Sequence, residues 1–314
     1  MDKKNIFYNE NSFSFLFLVI PIVMLLISYL VYPYPPSDFT LKLIQIPIFL
    51  GLIILGAGFF IKNDALASKL KIIGWMIFAF YWSTQPKPLY LNENGDVFNA
   101  SVCIIGVFIL FYFAYHEWLS ILRKEKIGCL NWIAGATAIA GLIYFGIELS
   151  FLKDWLIQVT AQQSGLVLDF VIGNVKVVGD SIYHNNTYVV TIIFACTAIQ
   201  SMVVFVGMIA AISKVGVNEK IFGLLITVVP IYFLNLLRNA LVGFLLAKDL
   251  TDLNMAHNVI AKIGSLIAMI ILLFIVIKII PEIFNEITCL TELYKRNGPL
   301  EKGFKKIFKR KKID

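Results

Sequence analysis

The chain has 314 residues, 59% of them hydrophobic and only 15% charged, with a formal net charge of +7 and a mean hydropathy of +0.82. A water-soluble domain carries roughly 45–50% apolar and about 25% charged residues, so the charge is too sparse to coat a globule and lipid is the solvent that resolves the mismatch. Nine of the 27 Lys and Arg fall within Lys295–Asp314, which reads as a cytoplasmic anchor to anionic lipid rather than a nucleic-acid arm.

A membrane span needs about 20 apolar residues. Eight segments read as spans: residues 13–32, 41–61, 70–84, 98–119, 130–149, 190–212, 220–247 and 257–280. They are apolar all round rather than striped, as lipid-embedded helices are. The first lacks a small-residue cleavage site and is long enough to stay as a span, so no cleavable signal is expected. Between the fifth and sixth, Phe151–Phe170 predicts an amphipathic helix at the membrane surface. Alternating β-branched residues then flank Gly179-Asp180 and Asn185-Asn186, which predicts a β-hairpin. The fold class expected is an all-α integral membrane protein of about eight transmembrane helices, with a small extracytoplasmic hairpin and amphipathic segment before the sixth. Its expected organisation is a five-helix region over 1–150, the extracytoplasmic segment over 151–189, a catalytic three-helix region over 190–280 and a basic cytoplasmic tail over 281–314. Neither an internal repeat nor matching broken helices, the marks of many transporters, are seen.

Orientation follows from Lys and Arg placement. With the N-terminus inside, 20 of them lie on inner segments, from Lys3 and Lys4 through Lys62, Lys69, Lys71, Arg123, Lys124, Lys126, Lys214, Lys220 and Lys278 to the tail. Six lie on the outer side: Lys42, Lys87, Lys153, Lys176, Lys248 and Lys262. Both termini are expected in the cytoplasm.

The exception is Arg238, inside the seventh span. A cation at a helix centre costs about 2.5–3.5 kcal/mol on insertion scales and marks a functional site by default. It lies nine residues before Ala247, about 13 Å below the outer helix end. Asn235, Arg238 and Asn239 stand at i, i+3 and i+4 and share one face. Against this stands a plain alternative, an arginine that snorkels or pins a neighbouring helix.

Cys196 falls near the outer end of the sixth span, with Gln200 at i+4. If the hairpin runs to Phe194, Cys196 opens the helix, where free N–H groups and the dipole favour a thiolate. On local pattern alone a membrane cysteine is more often a small hydrophobe. His257 starts the eighth span, also on the outer side, and alone it reads as an interfacial histidine. Together, a thiol, a cation and an imidazole on three consecutive helices in one leaflet are the parts of covalent acyl transfer. The remaining candidates read as structural: Cys103 and Cys289 as apolar or interfacial, Cys129 in a cytoplasmic loop, His116-Glu117 as an interfacial anchor and His184 as a turn residue. The four cysteines show no disulfide framework and no metal-ligand spacing, and with three histidines in the chain neither metal nor cofactor is expected.

At these residues the chain resembles the exosortase/archaeosortase family. The stretches that carry it are Ala195–Met202, Leu234–Asn239 and Ala256–Ser265, with Pro281-Glu282 and Asn297–Glu301 resembling the family's ending. The likeness covers roughly 165–301. It implies a membrane cysteine transpeptidase whose partners are secreted surface proteins with a C-terminal sorting signal: a short motif resembling Pro-Gly-Phe, a transmembrane helix and a basic cluster. Cys196 would form an acyl-thioester and a membrane lipid would take the acyl group. Arg238 would stabilise or protonate the tetrahedral intermediate, and His257 would assist the thiol or the leaving amine, a position at which family members vary. Gln200, Asn235 and Asn239 are supporting candidates. The rivals are an anion transporter using Arg238, a non-catalytic membrane scaffold, and a protease that releases its substrate.

Overall fold

The computed structural model describes residues 13–92 and 95–310. In chain order the helices are α1 Leu16–Val31, α2 Asp38–Phe60, α3 Asp64–Thr84, the short α4 Pro86–Leu91, α5 Val97–Arg123, α6 Gly128–Glu148 and α7 Leu152–Ile172. Three strands follow, β1 Val175–Val178, β2 Ser181–His184 and β3 Thr187–Thr191, then α8 Ile199–Ala211 and α9 Val217–Ala247. A π-helical stretch, Asn254–Ala261, leads into α10 Lys262–Ile279, and α11 Pro281–Thr291 and α12 Pro299–Arg310 complete the chain. The molecule is an all-α integral membrane protein with a small sheet. Among the described residues six helices are long and apolar enough to cross a membrane, and α1 and α8 are shorter apolar helices at the first and sixth predicted spans. Lys3, Lys4 and the last residues of the basic tail lie outside the described residues.

Helix starts follow local chemistry. Ser37 and Asn63 accept hydrogen bonds from Thr40 N and Leu66 N, at 3.2 and 3.1 Å, and so cap α2 and α3. The predicted sixth span differs most. Its first residues are strand β3, then an extended pair and a 3₁₀ turn, Phe194–Thr197, and regular helix begins only at Ile199. Its β-branched and aromatic run Thr187-Tyr188-Val189-Val190-Thr191 pairs with β2 instead of winding into a helix. The hairpin is therefore a three-stranded antiparallel meander. The backbone is left-handed at Gly179 between β1 and β2, and at Asn185 and Asn186 between β2 and β3, residue types that tolerate positive φ.

The chain divides into two units, Met1–Ala138 with Glu286–Asp314, and Ile139–Asn285. In the first, α3 packs along α2 and α5, and a Cβ on Gly51 would come within 2.9 Å of Phe78 N, so glycine sets that close approach. Here two expectations are corrected. His116 and Glu117 are not interfacial anchors: both are buried, and Glu117 pairs with buried Lys71 at 2.7 Å. A cation left alone so deep would be costly, and the carboxylate compensates it. His116 Nδ1 accepts from Arg296 at 3.1 Å and its Nε2 lies 3.3 Å from Glu301 Oε1. Glu301 also accepts from Tyr112 and Tyr115, at 3.0 and 3.1 Å, tying α12 to α5. Cys129 and Cys289, read from sequence as unrelated, form a disulfide. They are 160 residues apart, a separation that carries no local spacing signal.

In the second unit α7 packs on α9 and on β1. Leu168 lies where a Cβ on Gly243 would sit, 2.8 Å away, so α9 is small at the crossing. Ala161, Leu168, Ile182, Val190, Ile192, Cys196 and Ala240 share one buried cluster. The sheet and α7 thereby brace the segment that carries Cys196.

Candidate active site

Cys196 is placed by a sharp change of backbone. After β3, Ile192 N donates to Asp180 O at 2.9 Å. The chain then enters the 3₁₀ turn, closed by Cys196 N to Ile193 O at 2.8 Å and by Thr197 Oγ1 to Phe194 O at 2.7 Å. Ala198 is left-handed, with φ 62° and ψ 3°, and α8 starts one residue later. A left-handed non-glycine residue is sterically strained and persists only where its surroundings hold it. Cys196 therefore lies before the helix, not within it. The i, i+4 relation with Gln200 does not hold across this break, and Gln200 is exposed while Cys196 is buried.

Helix α9 presents its polar face as the spacing predicts. Asn235 Nδ2 donates to Cys196 O at 2.7 Å, and Asn239 Nδ2 donates to the same oxygen at 3.0 Å. Both carboxamides are buried. Their common acceptor has two lone pairs, and each amide can take one. Arg238 Nη1 donates to Asn239 Oδ1 at 3.3 Å, so the cation is linked through one amide to the cysteine backbone. Arg238 is half-buried, and its Nε is buried with no hydrogen-bond partner among the described residues.

His257 lies in the π-helical turn before α10, half-buried and within the electrostatic reach of Arg238 and Lys262. Single π turns inside helices are rare and recur at functional sites. The structure thus joins Cys196, Asn235, Asn239 and Arg238 by hydrogen bonds and sets His257 in the field of Arg238. One participant carries no sequence signal: Ser164 on α7, whose Oγ lies 3.3 Å from Asn239 Nδ2. It reads as one more small residue in an amphipathic stretch, and only the α7–α9 crossing gives it meaning. Among the described residues no three His, Cys, Asp or Glu side chains gather as metal ligands.

Residues 66–277 match the transmembrane exosortase (EpsH) family. The chain belongs to the transmembrane exosortase family. The match runs from α3 through most of α10, further toward the N-terminus than the motifs alone reach. A similar protein is archaeosortase A of Haloferax volcanii, 23% identical over 220 residues, which are 64% of this chain and 70% of that protein. No solved structure matches. As an exosortase-family member the chain is a multi-pass membrane protein of a group of cysteine transpeptidases that sort proteins.

Proposed function

We propose that this protein cleaves the C-terminal sorting signal of secreted surface proteins at Cys196 and transfers them to a membrane lipid. The observation that carries the reading is the double amide clamp on the Cys196 carbonyl, with Arg238 hydrogen-bonded to one of its two amides. A nucleophile fixed by its backbone, beside a cation, loses less freedom on reaching the transition state.

The Cys196 thiolate attacks the scissile carbonyl carbon, and its electron pair forms the C–S bond of a tetrahedral intermediate. Arg238 offers donors to the negative oxygen. Collapse breaks the C–N bond, and in this scheme His257 gives the leaving amine the proton it took from the Cys196 thiol. The thioester is then attacked by a hydroxyl or amine of a lipid headgroup. That bond forms as C–S breaks, the nucleophile's proton leaves, and the thiolate is restored. Gln200, exposed at the start of α8, serves the entering chain in this scheme rather than the thiol. Both termini are cytoplasmic and the chemistry lies at the outer face, where a substrate helix ends.

The deciding experiment expresses a signal-bearing surface protein with Cys196→Ala. Full-length substrate should accumulate with its terminal helix attached, and Cys196→Ser should behave almost as badly because a hydroxyl is the weaker nucleophile. Cys103→Ala controls for loss of a buried sulfur. Normal processing with Cys196→Ala would return the protein to the transporter or scaffold class, and a substrate with a free new C-terminus would make it a protease.

A further inference from the structure

Helices α8, α9 and α10 leave a gap between them. A cleft of about 240 Å³ is bounded by Ala198 and Ser201 at the start of α8, by Ile231 to Leu241 on α9, and by the π turn and first half of α10. Its cause is side-chain size, since α10 turns Gly264, Ser265 and Ala268 toward it. A Cβ built on Gly264 would meet no atom within 4 Å.

The shape limits the occupant. Along α9 the lining runs from Ile231 to Leu241, about 15 Å of helix. A helix with its side chains is about 10–12 Å across and is too wide to be enclosed in a cleft of about 240 Å³ spread over that length, whereas an extended apolar chain is narrow enough to enter.

The chemistry limits it further. Most of the lining is aliphatic. The Ser265 hydroxyl is used by Ala261 O at 2.8 Å, and the Asn235 amide by Cys196 O. Arg238 also lines the cleft and donates to the neutral amide oxygen of Asn239, while its Nε is buried without an acceptor among the described residues. A guanidinium within a membrane span calls for an anion, and its planar fork matches phosphate.

We propose that the cleft binds one chain of an anionic membrane lipid, with the lipid phosphate against Arg238. The guanidinium has five donors, so phosphate can occupy one edge and leave others for an oxyanion. A lipid seated in this way presents its headgroup beside Cys196. That last role rests on the acyl-transfer reading above, but the binding does not.

The test uses full-length Cys196→Ala protein in nanodiscs, where no chemistry occurs. The probe is phosphatidylglycerol with a diazirine on one acyl chain, compared with the same diazirine on phosphatidylcholine. Cross-links should map to residues 231–241 and 260–272 and should favour phosphatidylglycerol. Gly264→Phe, which fills the cleft, should lower them at least fivefold. Gly146→Phe, where an added Cβ also meets nothing within 4 Å but outside the cleft, should leave them unchanged. Arg238→Gln should keep chain labelling and lose the headgroup preference. Equal labelling by the two lipids, undiminished labelling in Gly264→Phe, or displacement of the probe by a synthetic sorting-signal helix would each overturn the proposal. Normal processing in Cys196→Ala cells with cross-linking intact would instead sink acyl transfer and leave the lipid site standing.

Discussion

The side-chain amide of Asn235 donates to the main-chain carbonyl of Cys196 across 2.7 Å, from a helix 39 residues further along the chain. Asn239 repeats the contact one turn on. Without these amides the buried carbonyl would carry an unmet acceptor, at a cost of about 1–3 kcal/mol.

Asn235→Ala should therefore lower substrate processing about fivefold, since a net hydrogen bond of about 1 kcal/mol is about a factor of five in rate. The Asn235→Ala, Asn239→Ala pair should lose more than the product of the single effects, because each amide covers for the other. Alkylation of Cys196 should speed up in the same variants while Cys103 stays unreactive. Wild-type processing together with wild-type alkylation in the double variant would show that the clamp is idle.

Arg238→Lys should insert normally and process substrate at least a hundredfold more slowly. An ammonium keeps the charge but lacks the planar fork and cannot reach Asn239 Oδ1 in the same geometry. Activity near wild type would show that charge alone suffices.

Ala198 tests the backbone. Glycine there relieves the left-handed strain and should leave melting within about 1 kcal/mol of wild type. Valine, for which φ 62° is a genuine outlier, should cost about 2 kcal/mol or more and abolish processing. Equal behaviour of the two variants would mean that the turn re-forms freely.

Much of this was legible in the chain. The even, two-sided apolarity of the spans, the Asn-Asn turn, and the i, i+3, i+4 placement of Asn235, Arg238 and Asn239 are local patterns, and local patterns survive folding. What escaped depends on contacts between distant segments. Cys196 looked like part of a span because Val189, Val190, Ile192 and Ile193 are apolar enough for lipid, yet Val189 and Val190 lie in strand β3, where Val190 pairs with Ile182 of β2. Ser164, the Lys71–Glu117 pair and the Cys129–Cys289 bond have no spacing to announce them. His116-Glu117 looked interfacial because its partners, Glu301 and Lys71, come from opposite ends of the sequence.

Glu301 gives a dependence on acidity. Burial alone would push its carboxyl up. The hydrogen bond from His116, backbone donation in its own helix, the His116 charge and Tyr112 outweigh that and hold it below the usual carboxylate range. A depressed folded value stabilises fully above the unfolded value of about 4.3 and is lost as pH falls through the folded one. Melting of the detergent-solubilised protein should therefore drop as pH falls from about 5 to about 3. Glu301→Gln should melt lower at pH 7 and vary less across that window; a parallel fall in both proteins would remove Glu301 from the account.

Orientation is open to direct measurement. The 20-to-6 division of Lys and Arg predicts that a reporter fused after the last residue reports cytoplasm and one inserted between β1 and β2 reports the exterior. Protease removal of the C-terminal reporter from intact cells would reverse the assignment.

The first unit is discontinuous, since Met1–Ala138 is joined by Glu286–Asp314 after the whole of Ile139–Asn285. During synthesis Tyr112, Tyr115 and His116 emerge long before Glu301, the carboxylate they bind. The early helices must wait, polar groups unmatched, while the segment bearing Cys196 is made. Translation that stops short of Glu301 leaves Tyr112, Tyr115 and His116 without that carboxylate. An order of assembly is thereby written into the chain: the unit with the nucleophile can close first, and the unit that begins the protein is finished last.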